Sequence, residues 1–323
     1  MKQLKKYIIK HNNLNEKVPI FKPCYSMTKF YMDNQLFILT CRYLGNIFKI
    51  QNIEYYIDVL CEDFVTCIIC SKKNKLNSNN VIIYTGLKNG KLIEWIVTKK
   101  TELFNKIKIK EKKNCRCHKG EMTCIEIYEN QNIIITGGKD KMIFIRKLYD
   151  FELLTAINLI YLFGNPIINK EINIVPTMIK VSELNCIYIT IYNFRTKKSF
   201  IRGYNLNGLY FAQTKEDDYM NICFTKNGNL LSSIYGKDKI SILNCYDLNS
   251  VDKNADDNFN LSISEFLNNY YNKNKKEKKE DNNDQLVWFE YYYKNQEFIL
   301  LFKDKIIKTG LTTKENRIKM DYY

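Results

Sequence analysis

Alanine is nearly missing from this chain of 323 residues, which carries it only at Ala156, Ala212 and Ala255 while Lys and Asn abound. A nucleotide-biased genome produces that skew, so the formal charge of +15 and the pI of about 9.1 are not by themselves a sign of an acidic ligand. Histidine is scarcer still, with only His11 and His118. A serine or cysteine nucleophile needs a base within reach, and two imidazoles leave little material for one. No P-loop, GxSxG, HExxH or dinucleotide-type glycine pattern occurs, and the glycines of "TGGKD" belong to a strand turn. No run approaches the ~18 apolar residues of a membrane-spanning helix, and Met1 to Asn15 hold no apolar stretch ending in small residues. A non-catalytic, cytoplasmic protein is expected, with no cofactor and no metal.

What is present is greasy and strand-forming. Apolar residues make up 45% and aromatics 14%, with 24 Tyr and 18 Phe, which is too much for a generally disordered chain. The 11 Cys are spread through apolar segments, as at Cys67, Cys124, Cys186 and Cys223, and fit reduced core thiols better than a disulfide framework. Short runs of Ile, Val, Tyr and Phe recur between Gly, Asn, Asp and Lys clusters that turn the chain. Several, such as Ile133 to Ile135 and Met142 to Ile145, are apolar throughout and predict strands buried on both faces.

Self-similarity sharpens this into an architecture. The segments "TCRYLGNIFKI" from Thr40, "TGLKNGKLIEW" from Thr85 and "TGGKDKMIFIR" from Thr136 align without gaps, and "YGKDKISILN" around Asp238 continues the series. Spacings near those of a four-stranded propeller blade predict an all-β WD-repeat β-propeller. Six blades are visible, near 22–63, 64–113, 114–161, 172–217, 218–250 and 285–323. The whole of 1–323 reads as one propeller domain. The charged block at 251–284, which includes "NKNKKEKKEDNND", cannot bury enough apolar surface to order itself and is expected to be an inserted loop with at most one short helix in "SISEFLNNYY".

Blade chemistry singles out particular residues. A WD repeat links His, Ser or Thr, Asp and Trp in a buried hydrogen-bonded network, because each buried polar group needs a partner. His118, Thr136 and Asp140 supply that order in the third blade, where Arg146 occupies the Trp position. The second blade has Thr85 and Trp95, with Asn89 in place of Asp and no His ahead of "VTCIIC". Cys115, Cys117, His118 and Cys124 offer zinc-type ligands, but the CxCH spacing is tight, no second CxxC exists, and His118 already has a structural role. The adjacent Asp217 and Asp218 read as solvated loop carboxylates. Lys88, Lys139, Lys237 and Lys303 each precede the Asn or Asp of a hairpin turn, flanked by Lys91, Lys141, Lys239 and Lys305. Equivalent turns in a ring share a face, which predicts a positive crown at one mouth.

The order of segments resembles the C-terminal propeller of BEACH-domain proteins. The likeness rests on "DFVTCIIC" with "IIYTGLKNGKLIEW", on "HKGEMTCIEIYENQNIIITGGKDKMIFIRKL", and on "FIRGYNLNGLYFAQTKEDDYMNICFTKNGNLLSSIYGKDKISIL". It implies a scaffold in vesicle traffic or membrane dynamics, although neither the BEACH domain nor its PH-like neighbour is in this sequence. That family's ring has seven blades, so the resemblance also implies an incomplete seventh here, at 4–20. The expected function is a protein-interaction scaffold whose partners are other proteins. An anionic membrane surface ranks second as a partner and nucleic acid below it, with binding of RNA or anionic lipid by the basic face as the alternative function.

Overall fold

The computed structural model describes residues 25–32, 35–42, 45–51, 56–71, 80–99, 107–162, 165–166, 173–217, 219–224, 230–234, 240–248, 286–292, 297–302, 306–311 and 318–322. Strands β1–β4 (Tyr25–Met32, Gln35–Arg42, Ile47–Gln51, Tyr56–Leu60) form a first antiparallel sheet, and β5–β8 (Val65–Cys70, Asn80–Leu87, Lys91–Lys99, Ile107–Arg116) a second. The third holds β9–β12 (Met122–Tyr128, Ile133–Gly138, Met142–Lys147, Leu153–Asn158). A two-residue hairpin, β13–β14 (Tyr161–Leu162, Asn165–Pro166), leads to the fourth, β15–β18 (Ile174–Val181, Cys186–Asn193, Lys198–Asn205, Tyr210–Gln213). A three-stranded sheet, β19–β21 (Tyr219–Phe224, Leu230–Ile234, Ile240–Leu243), and a four-stranded one, β22–β25 (Leu286–Tyr292, Glu297–Phe302, Ile306–Leu311, Ile318–Tyr322), follow.

Each sheet is a meander in chain order, and its first strand packs on the first strand of the next: β1 on β5, β5 on β9, β9 on β15, β15 on β19 and β19 on β22. The apolar cores therefore lie between sheets. Phe30, Leu39, Phe48 and Ile50 of the first sheet meet Ile68, Val81, Ile83 and Trp95 of the second. The opposite face of the second, with Cys67, Tyr84 and Leu92, packs on Met122, Ile125, Ile134 and Phe151 of the third. Ile135, Ile143 and Ile145 then meet Ile187, Ile189 and Ile191 of the fourth. The alternation of Ile83 toward one neighbour and Tyr84 toward the other shows why these strands lack a polar face. Fully buried Leu39, Phe48, Ile50, Ile83 and Leu87 each contribute roughly 1.5–3 kcal/mol by leaving water. This is a propeller arrangement, with four consecutive blades formed by the first four sheets.

Two of the aligned turns, those after Thr85 and Thr136, share one conformation. Gly90 and Lys141 occupy equivalent places, both left-handed at φ 83° and 66°, and their N–H groups bond Leu87 and Gly138 carbonyls at 3.0 Å in each case. A side chain at Gly90 would strike the His118 carbonyl, which explains glycine there. One expected boundary shifts. β8 runs on to Arg116, so Cys115 belongs to the second sheet and not to a third blade beginning at 114. Its polar sequence hides a ten-residue outer strand whose exposed lysines suit an edge that must not pair with other chains. The expected loop at 251–284, the incomplete blade at 4–20, and Asp218, Lys237, Asp238, Lys239, Lys303 and Lys305 lie outside the described residues. Among the described residues no helix is long and apolar enough to cross a membrane.

Candidate functional site

The third blade assembles its polar network as its sequence order predicts. His118 follows β8, and its ring is buried between β10 and the β10–β11 turn, with Nε2 2.9 Å from the Thr136 hydroxyl and Nδ1 2.9 Å from Asp140 Oδ1. Since a carboxylate only accepts, Nδ1–H donates to Asp140 and Nε2 is left to accept from Thr136. Asp140 also accepts the N–H of Lys119 at 3.0 Å and of Met142 at 3.3 Å. Burial alone would push the Asp140 carboxyl up, but the His118 bond and those two N–H groups together hold it below the usual carboxylate range.

The second blade builds around the equivalent Thr85 from the other side. Trp95 Nε1–H donates to the Thr85 hydroxyl at 2.8 Å, with the indole edge-on to Phe48 of the first sheet. Both hub threonines are fully buried, whereas Thr40 in the first sheet is half-buried. Four residues before the blade's first strand, where the third blade has His118, the second has Cys61, whose thiol burial pushes up to about 12. Asn89 is exposed, caps its own turn by accepting the Lys91 N–H at 3.0 Å, and meets no imidazole.

Sequence reasoning missed the hydroxyls that join the blades. Ser26 donates to the Ile68 carbonyl and accepts its N–H at 3.2 and 3.0 Å, Thr66 donates to Met122, and Thr123 donates to Pro176. Each sits on an innermost strand and reaches the innermost strand of the next sheet. The repeated "TCI" of "VTCII" and "MTCIE" was the available signal. A second latch closes the seam between the second and third sheets: Lys113 donates to the carbonyls of Leu148 at 2.9 Å and of Tyr149, lies 4.2 Å from the Phe151 ring centre, and pairs with buried Glu94 at 2.9 Å. Lys112 holds the other Glu94 oxygen at 2.8 Å, so this carboxylate is balanced by two cations.

Of the zinc candidates only Cys115 and Cys117 come together, with sulfurs 3.0 Å apart. Both His118 nitrogens are engaged, and Cys124 packs with the fourth-sheet core while Cys117 packs with the second. No group of three possible ligands forms among the described residues. Asp217 is tied by its backbone to Ser199 through reciprocal bonds of 2.7 and 2.8 Å, which makes it an edge extension of the fourth sheet as well as a loop carboxylate. Of the turn lysines, Lys88 lies 5.0 Å from the Phe64 ring centre, Lys139 pairs with Glu121 at 2.6 Å, and Lys91 pairs with Glu62 at 2.7 Å. Two of the lysines expected in a positive crown are thus held by carboxylates of this chain; the Lys91–Glu62 pair, open to solvent, contributes at most about 1 kcal/mol.

No protein-family model matches the chain, and none of the curated proteins matches it in sequence. Solved structures do match, 1170 chains in all, so the arrangement is too widely used to name an activity. One is the crystal structure of a mitotic checkpoint complex, similar over 91% of this chain and 74% of that one with a TM-score of 0.52 and 9% identity. The likeness is one of fold. It agrees with the propeller arrangement and leaves membership of the BEACH family as a resemblance.

Proposed function

We propose that this chain is a non-catalytic WD-repeat scaffold in the cytoplasm, working at membranes as the propellers of BEACH proteins do, and docking acidic partner proteins on the face that carries its blade turns. In this reading the fifth and sixth sheets are further blades and a seventh is incomplete. One observation carries it: Lys88 and Lys139 make the same backbone hydrogen bond, each N–H reaching at 2.9 Å the carbonyl just before its blade's first strand, at Phe64 and Glu121. Equivalent turns with equivalent bonds present their side chains on one side of the ring. Among the described residues the cation of Lys88 rests on an aromatic face and pairs with no carboxylate, and an acidic peptide would complete it.

The test is binding of an acidic peptide set to the wild-type chain and to K88E/K139E, with folding checked by circular dichroism. Loss of at least tenfold in affinity in the double variant supports the reading, and unchanged affinity overturns it. Flotation on anionic against neutral vesicles, and RNA binding at rising salt, separate the alternative. RNA binding that falls steeply with salt, with no peptide binding at all, transfers the basic face to nucleic acid.

A further inference from the structure

Cys115 lies one residue inside the end of β8, and Cys117 one residue beyond it. Side chains two apart along an extended chain share a side. The backbone of Cys117 is then drawn inward, its N–H bonded at 2.9 Å to the Gly90 carbonyl of the β6–β7 turn. The two sulfurs come to 3.0 Å, both as thiols. A disulfide holds its sulfurs at roughly 2.05 Å, so about 1 Å of closure separates this pair from one.

The pair is asymmetric. Cys115 is half-buried, flanked by exposed Asn114 and Arg116, whereas Cys117 is only 6% exposed. The hydrogen bond from Cys117 holds the Cys115 thiol below the ordinary thiol range against the opposing effect of burial, and the charges of Arg146 and Lys113 add to it. The same contact, together with burial, pushes the Cys117 thiol far up. Cys61 and Cys245 are also pushed up, chiefly by burial. Arg146 reaches the pair from β11, across the seam from the third sheet. It stands where a complete WD network would have Trp, its Nη1 donates to the Phe151 carbonyl at 2.9 Å, and its buried Nε makes no hydrogen bond. A guanidinium whose charge reaches both sulfurs, with a buried Nε donor to spare, is suited to steadying a thiolate at the half-buried Cys115.

We propose that Cys115 and Cys117 form a reversible dithiol–disulfide switch, closed by exchange with a low-molecular-weight disulfide of the glutathione type. The Cys115 thiolate attacks one sulfur of the oxidant, whose S–S bond breaks to give a mixed disulfide and one free thiolate. That thiolate takes the proton of Cys117. The Cys117 thiolate then attacks the Cys115 sulfur, releasing the second half of the oxidant, so two electrons pass from the pair to the small disulfide. The closed form ties the end of the outer strand to the segment that carries His118, at the seam held by Lys113 and Glu94. No third donor is near enough to make this a metal centre among the described residues.

Trypsin cuts after Lys113, Arg116 and Lys119, which separates the two cysteines into different peptides. The full chain, equilibrated with oxidised and reduced glutathione at graded ratios, is alkylated, digested without reductant and mapped by mass spectrometry. The peptide Asn114–Arg116 linked to Cys117–Lys119 should appear as the oxidised share rises and vanish when reduced glutathione is restored. In C117S the expected product is a persistent Cys115–glutathione mixed disulfide, and in C115S neither species forms. Linkage of Cys115 to any other cysteine, linkage seen only in denaturant, or glutathione carried by Cys117 in C115S would overturn the proposal. The wild-type map decides it even if one variant does not fold.

Discussion

The second and third blades carry the same backbone frame and fill it with opposite chemistry. In the second, Thr85 is served by an indole, Cys61 stands at the His position, and Lys88 lies over Phe64. In the third, Thr136 is served by an imidazole bound to a carboxylate, and Lys139 pairs with Glu121. In both of these blades the buried hydroxyl is met by one partner, an aromatic donor in one and a His–Asp couple in the other. These two blades therefore share a hub threonine and a left-handed turn and differ in the remaining members of the WD set, whereas the fourth sheet keeps a left-handed turn at Lys197 and buries the Thr190 hydroxyl without a hydrogen bond among the described residues.

That contrast is broken most severely at Trp95. W95A removes the largest side chain in the seam between the first two sheets and should cost about 4 kcal/mol of apparent stability, read as a shift in the urea midpoint. W95F keeps most of the volume and loses one hydrogen bond, so its cost should fall to about 1 kcal/mol. The gap between the two variants measures how far this hub is a packing site. At His118 the balance should reverse. H118F keeps an aromatic ring, yet it leaves the Thr136 hydroxyl and the Asp140 carboxylate without their partner, and should cost about 2–3 kcal/mol. If H118F proved as mild as W95F, the polar account of the third blade would fail.

Asp140 gives the comparison a pH dependence. Its folded carboxyl titrates below the unfolded value of roughly 3.9, so its stabilising contribution is complete above that pH and is lost as pH falls through the depressed folded value. D140N should cost about 1–2 kcal/mol at neutral pH and make the acid limb of the stability profile shallower. The second blade has no such carboxylate in its turn, so the neutral variant N89S should change that limb much less, and only through Glu62, whose carboxyl Lys91 chiefly and the Asn89 amide in part hold low. Thermal melts between neutral pH and the acid transition provide both curves.

Much of this was legible in the residues. The gapless alignment of Thr85 with Thr136 located two hubs and their turns, because hairpin geometry is local and repeats with the chain, whereas Thr40 is half-buried and pairs with Lys49, one residue out of that register. The seams were harder. Ser26, Thr66 and Thr123 act on partners one blade away, at Ile68, Met122 and Pro176, and nothing local to a serine or threonine says which carbonyl it will meet. The second blade was ended at 113, three residues short of β8, because a polar run with Lys108, Lys110, Glu111, Lys112 and Lys113 carries little apolar signal, although one face of an outer strand is meant to be wet. The proximity of Cys115 to Arg146 depends on that strand's full length and on an approach from another sheet, so it was invisible as well.

The smallest effect is the most discriminating, because it sets resemblance to a motif against physics. N89D makes the second turn match Asp140 and brings the blade nearer to a standard WD repeat. By pattern alone it should stabilise. The surroundings say otherwise: Asn89 is exposed, its amide lies 3.4 Å from Glu62, and Cys61 stands where an imidazole would have to be. A carboxylate there would keep the turn bond to the Lys91 N–H but would face Glu62 with like charge, beside a Lys91 that Glu62 already holds at 2.7 Å. The expected outcome is a loss of up to about 0.5 kcal/mol that shrinks as salt is added, read from urea midpoints at low and high ionic strength. The double variant C61H/N89D then asks whether the polar network can be transplanted, and the third blade's geometry predicts that the histidine reverses the sign of the N89D effect.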